Sequence, residues 1–152
     1  MFASAVKLEE LLKLKEFEIN PRDEKRIIEA YVELTLGEIR RVYASARIID
    51  FATAEPKDTR IKVSEGYELS VLERVNGITI EEVKIPQFYM GIISPTKRGV
   101  EIGVGITAIP LQQGYCGKVS FGLSNNTGAN LKLAPDTPIL RLYLTTTTDH
   151  PK

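Results

Sequence analysis

The chain has 152 residues, and its 20 lysines and arginines balance 20 aspartates and glutamates, so no net charge draws it toward nucleic acid or an anionic membrane. Hydrophobic residues at 43% and charged residues at 26% fit a soluble globular chain whose length favours one domain over residues 1–152. Cys116 is the single cysteine, which excludes an intrachain disulfide and suits the reducing cytoplasm.

In chain order, residues 6–17 predict a helix within an N-terminal segment 1–20. Leu8, Leu11 and Leu12 share one face at i, i+3, i+4 spacing, Glu9, Glu10 and Lys13 lie opposite, and Ser4 can cap it. Charges interrupt the apolar residues, so this is no signal peptide, and no uncharged run approaches the roughly 18 residues of a membrane span. Asn20-Pro21 ends the helical pattern. Strand-like runs follow: Tyr31–Leu36 stopping at Gly37, Ile39–Ile49, a turn at Glu55-Pro56-Lys57-Asp58, Ile61–Val63, and Tyr67–Val75. Asn76-Gly77 between apolar runs reads as a hairpin turn before Ile78–Ile85. Val100–Ile106 alternates strictly and predicts one strand. Val119, Phe121 and Leu123 alternate with polar or small residues up to the turn Asn125-Asn126-Thr127-Gly128, and Ile139–Leu144 is the last strand before a flexible tail, 145–152. Many short strands separated by turns predict a mainly β sandwich, jelly roll or barrel without internal repeats.

Three stretches carry a family resemblance. The first is Phe17-Glu18-Ile19-Asn20-Pro21 with Tyr31-Val32-Glu33-Leu34-Thr35-Leu36-Gly37. The second is Ser64-Glu65-Gly66-Tyr67-Glu68-Leu69 followed by Val83-Lys84-Ile85-Pro86. The third and most specific is Thr107-Ala108-Ile109-Pro110-Leu111-Gln112-Gln113-Gly114-Tyr115-Cys116-Gly117, followed by Leu133-Ala134-Pro135-Asp136-Thr137-Pro138-Ile139. In order and spacing they resemble the trimeric dUTPase and dCTP deaminase superfamily. The resemblance implies a distorted jelly roll (a dUTPase-like β-clip barrel) with a short N-terminal helix. It also implies a homotrimer with pockets shared between subunits, a deoxyribonucleotide ligand, and Mg²⁺ wherever a nucleotide is bound.

The same resemblance marks departures. Hydrolysis of a nucleoside triphosphate needs a carboxylate to activate water and cationic donors for the phosphates. The water-activating aspartate of the third stretch corresponds to Gln112, whose neutral amide is no base but can hydrogen-bond a ribose hydroxyl. The glutamate that shuttles protons in the deaminases corresponds to Gly122. The phosphate-binding Gly-Arg-Ser-Ser motif falls on Gly91–Val100, where one alignment puts Ile92 and Ile93 in place of arginine and the first serine. Ser94, Lys97 and Arg98 remain there, as anion-binding groups or as a solvated basic turn. Glu33 matches the first-motif aspartate and is the candidate for a metal-bound water, or a solvent-facing strand residue. Tyr115 matches the tyrosine that lies against the deoxyribose, or is a buried turn aromatic. Arg141 occupies the place of a pocket glutamine, and Thr145–Lys152 does not match the glycine-rich arm of dUTPases. Cys116 has no histidine near it in sequence, His150 has no metal-ligand partners, and Gly103 and Gly105 open no phosphate loop because no helix signal follows them.

These departures favour a catalytically degenerate, nucleotide-binding or regulatory homotrimer, with no nucleic-acid or membrane partner. The alternatives are an active Mg²⁺-dependent dUTP diphosphatase in which Glu33, Glu68 or Glu101 replaces the base, and a structural jelly-roll assembly module without a nucleotide. If active, hydrolysis of dUTP is favoured over deamination of dCTP.

Overall fold

The computed structural model describes residues 1–42, 48–54 and 58–147. Helix α1 (Ala5–Lys13) starts where Ser4 Oγ accepts the Lys7 amide at 3.2 Å, and it buries Leu8, Leu11 and Leu12. Strands β1 (Glu18–Asn20) and β2 (Ile27–Ile28) precede the long β3 (Tyr31–Val42). Then come β4 (Asp58–Lys62), β5 (Tyr67–Leu69), β6 (Arg74–Lys84) and β7 (Tyr89–Pro95). A short helix, α2 (Lys97–Ile102), leads into β8 (Val104–Thr107), and β9 (Cys116–Asn125), β10 (Leu131–Leu133) and β11 (Pro138–Thr146) complete the chain.

The strands form a nearly closed, barrel-like sheet in the order β7-β11-β3-β6-β9-β8, with β1 on β6, β2 and β4 on β3, and a separate β5-β10 pair. This is the mainly β, distorted jelly roll with a short N-terminal helix that the sequence pattern and the resemblance implied. Strand β3 carries the sheet round its bend. Its first half pairs with β11 (Glu33 opposite Arg141) and its second half with β6 (Ile39 opposite Gly77), the register shifting between Leu36 and Glu38. The inward residues Val32, Leu34, Leu36 and Ile39 join Val75, Phe121, Leu123, Leu140 and Leu142 in one core, closed at one end by α1 and Phe17.

Two polar clusters hold the irregular places. Where β6 shifts register between Ile78 and Glu82, Thr79 Oγ donates to the Glu81 carbonyl and accepts the Val119 amide, both at 2.9 Å. The buried Glu81 carboxylate accepts from the Thr35 amide at 2.8 Å and the Thr35 hydroxyl at 2.6 Å. At the end of β9, Asn125 is fully buried. Its Nδ2 reaches the carbonyls of Leu69, Ser70 and Ala129, and its Oδ1 accepts from the Thr127 amide and hydroxyl.

Several sequence expectations are corrected. The helix stops at Lys13, short of the expected residue 17, because Lys15 turns to a positive φ of 57° and Phe17 drops into the core as the chain leaves the helix axis. Gly37 does not end its strand; β3 runs through it at the bend. Asn76-Gly77 is no turn but lies inside β6. Val100–Ile106 is not one strand: Thr96 Oγ caps the Gly99 amide at 3.1 Å, Gly103 closes the helix at φ 109°, and only then does β8 begin. Thr145 and Thr146, read as tail, continue β11 opposite Met90 and Tyr89, and Thr147 donates to the Phe88 carbonyl. The remainder of that tail with His150, the Glu55-Pro56-Lys57 part of one expected turn, and residues 43–47 of the Ile39–Ile49 run lie outside the described residues. No helix among the described residues is long and apolar enough to cross a membrane.

Candidate functional site

The expected site residues fall into two groups on different elements. The first is a cross-strand row on the outer face of the sheet. Ser94 of β7 pairs with Arg141 of β11, which pairs with Glu33 of β3. Leu140 and Leu142 point into the core, so the intervening Arg141 faces outward. All three side chains are half-buried. Ser94 Oγ donates to the Pro95 carbonyl at 3.1 Å. The Arg141 guanidinium lies over the Tyr31 ring at 4.3 Å, and its buried Nε has no hydrogen-bond partner.

Lys97 and Arg98 do not join that row. They sit exposed in the first turn of α2, where Lys97 is 3.8 Å from Glu101. The basic segment 94–98 is therefore a strand end plus a helix start rather than one loop. Ile92 and Ile93 lie within β7, opposite Tyr143 and Leu142, where no phosphate-binding turn can form.

The second group surrounds the segment between β8 and β9. Gln112 is exposed, and its carbonyl accepts the Tyr115 amide at 3.0 Å in a tight turn. Exchange of amide and carbonyl between Leu111 and Gly91 anchors the same turn to β7, at 2.8 and 2.9 Å. Tyr115 donates its hydroxyl to the Lys118 carbonyl, and burial, then the neighbouring Cys116, pushes its phenol above the usual range. At neutral pH it is a neutral donor and cannot replace a missing base.

Gly122 lies on β9 between Asn76 of β6 and Thr107 of β8. Over it lies Arg74, which donates to Asn76 Oδ1 at 3.2 Å. A Cβ built on Gly122 would stand 2.6 Å from Arg74 Nη2. The position aligned with the deaminase glutamate is thus covered by a guanidinium. Sequence reasoning missed Arg74; the only signal was an arginine two residues before an outward asparagine on a strand.

The carboxylates weighed as replacement bases are engaged or distant. Glu101 faces Lys97, and Glu68 accepts from Asn130 at 2.9 Å on the separate β5-β10 pair. Glu81, the only buried carboxylate among the described residues, is held by Thr35. Glu33 remains, and no group of three His, Cys, Asp or Glu that could hold a metal forms among the described residues. One carboxylate fits a Mg²⁺ that arrives with a triphosphate supplying further oxygens, not a resident ion. Cys116 is exposed, Gly103 ends α2 and Gly105 lies in β8. A cleft of about 500 Å³ opens at the β3–β6 register shift, but its lysines (Lys62, Lys118) and carboxylates (Glu38, Asp136) offset one another, and none of the expected residues lines it.

A family model described as dCTP deaminase-like matches residues 2–147. No curated protein matches by sequence. Among solved structures, the 2'-deoxycytidine 5'-triphosphate deaminase from Agrobacterium tumefaciens superposes with a TM-score of 0.75 at 12% identity, over 96% of this chain and 48% of that one. Native EIAV dUTPase superposes with a TM-score of 0.50 at 16% identity, over 57% of this chain and 72% of that one. The chain spans about half the length of the deaminase, and at these identities the likeness is one of fold.

Proposed function

Because the chain belongs to the dCTP deaminase-like family, we propose that it is a catalytically degenerate homotrimer that binds a deoxyribonucleotide without converting it. The observation that carries this reading is Arg74 over Gly122. Deamination needs a carboxylate that takes and returns protons at the base. Here that position has no side chain, and the neighbouring guanidinium is a permanent donor that cannot accept a proton. Gln112 removes the water-activating carboxylate of the diphosphatases in the same way. The row Ser94–Arg141–Glu33 and the turn bearing Gln112 and Tyr115 sit on separate elements, an arrangement suited to a pocket completed by a second copy of the chain. Donors without a carboxylate at Gln112 or Gly122 support binding and regulation in deoxyribonucleotide metabolism rather than turnover.

Glu33 favours one second reading. As the carboxylate in the row beside Ser94 and Arg141, it is the residue that would serve an active Mg²⁺-dependent dUTP diphosphatase. Product assays decide between them. With Mg²⁺ present, the purified protein is expected to release no ammonia from dCTP and no pyrophosphate from dUTP, dCTP or dTTP. Pyrophosphate release from dUTP that disappears in Glu33→Gln would replace the degenerate reading with the diphosphatase.

A further inference from the structure

We propose that Arg141 is the polyphosphate-binding residue of this chain, doing from β11 what a β7–α2 arginine would otherwise do. The proposal deepens the nucleotide-binding reading and rests on it for the identity of the ligand, but not for the anion site itself. Three observations carry it. First, an arginine opposite a glutamate in an antiparallel pair would ordinarily form an ion pair. Arg141 faces Glu33 across the ladder, yet among the described residues it makes none; its guanidinium stacks on Tyr31 at 4.3 Å instead. Stacking leaves the planar fork of donors in one orientation, so little freedom remains to be lost when an anion binds. Second, Arg141 Nε is buried with no hydrogen-bond partner in the chain. A buried donor left unmade is costly; no bond among the described residues holds the guanidinium, and its remaining donors are left to make charge-assisted bonds to an oxyanion. Third, Ser94 lies beside Arg141 on the other flank, and its hydroxyl is occupied only by the carbonyl of its own neighbour, Pro95.

The competing cations are less suited. Lys97 and Arg98 are exposed on a helix of six residues, and Lys97 already faces Glu101. The row also orders the chemistry: a donor fork lies between a hydroxyl and a carboxylate, so phosphate oxygens meet Arg141 and Ser94 while Glu33 stands on the far flank, the residue that would face a Mg²⁺ carried by the phosphates, which would offset its charge.

The test is calorimetric titration of the full chain and of Arg141→Gln and Arg141→Lys with inorganic triphosphate, with dUTP and with deoxyuridine, all with Mg²⁺. The expected result is saturable binding of triphosphate and dUTP by the unaltered protein. Arg141→Gln should weaken both at least tenfold, Arg141→Lys should weaken them several-fold, and deoxyuridine should bind all three proteins alike. The lysine variant keeps the charge but not the fork, so it still reads out the proposal if glutamine compromises folding. Equal affinity of the variants and the unaltered protein for triphosphate and dUTP overturns the role of Arg141 and leaves the nucleotide reading standing. Arg141-dependent triphosphate binding with no gain from the nucleoside keeps the anion site and removes the nucleotide. Absence of triphosphate and dUTP binding by the unaltered protein overturns the proposal.

Discussion

Asn125→Ala is expected to lower the stability of the fold by about 3–5 kcal/mol, read as a lower denaturant midpoint with an unchanged slope. The side chain is fully buried, and both ends of its amide are used. Nδ2 holds the carbonyls of Leu69, Ser70 and Ala129 at 2.7–3.1 Å, and Oδ1 holds the amide and hydroxyl of Thr127 at 3.0 and 2.7 Å. Alanine removes every one of these bonds at once, each worth about 0.5–1.5 kcal/mol net; the Ser70 and Ala129 carbonyls keep the Glu73 amide and the Thr127 hydroxyl, while the Leu69 carbonyl and the Thr127 amide lose the side chain that holds them. It also frees the 125–130 turn from the end of β5, so β10 loses the support that aligns Leu131 with Leu69. A loss below about 1 kcal/mol would mean that water replaces the amide and that the turn is not held from within.

The second large effect is expected at Gly77, inside β6. A Cβ there would lie 2.6 and 2.8 Å from the Phe121 ring and 3.0 Å from Leu36. Gly77 is not among the glycines at positive φ, so space rather than backbone freedom requires it. Gly77→Val should therefore cost about 3 kcal/mol by overpacking. Because the clash is with a named ring, Phe121→Leu should restore part of the loss, giving a double mutant more stable than the sum of the single changes predicts. Strict additivity of the two substitutions would show that the strain lies elsewhere.

That glycine also shows where reading the sequence succeeds and where it stops. Alternation in β9 and β11 was legible because each strand buries one face: Val119, Phe121 and Leu123 in β9, and Leu140, Leu142 and Leu144 in β11. The leucines of α1 were legible for the same reason. Asn76-Gly77 carries the local signature of a turn, but pairing with β3 on one side and with β9, 44 residues further on, on the other keeps it extended, and no local pattern encodes those pairings. Val100–Ile106 misled in the opposite way. Its alternation is real, but Thr96 and Gly103, at capping positions either side of six residues, outweigh it. Gly37 reads locally as a strand end, yet β3 runs through it because the strand exchanges β11 for β6 as a partner there, which no local pattern encodes.

The site was half legible. The expectation that Gln112 and Gly122 stand at the family's two carboxylate positions follows from spacing once the resemblance is recognised. What stands in their place does not. Arg74 reaches Gly122 only because β6 and β9 pair with Asn76 opposite Gly122, and Arg141 meets Ser94 and Glu33 only because β11 inserts between β7 and β3. Those are facts of register, set by strands far apart in the chain. Ser94, Lys97 and Arg98 lie within the expected motif stretch and read as anion-binding groups or as a solvated basic turn. Folding puts Lys97 and Arg98 exposed on α2 and sets Arg141 of the last strand opposite Ser94.

Whether a deoxyribonucleotide pocket here outlives its chemistry is tested most directly by observing binding and turnover in one sample. The full chain is titrated with dUTP and with dCTP in the presence of Mg²⁺, the heat of binding is recorded, and the recovered nucleotide is then examined by phosphorus NMR and for loss of the amino group. Saturable heat for at least one of them, with the triphosphate and the base recovered intact, is the predicted result. Recovery of dUMP with pyrophosphate, conversion of dCTP to dUTP, or no binding heat from either nucleotide would contradict it.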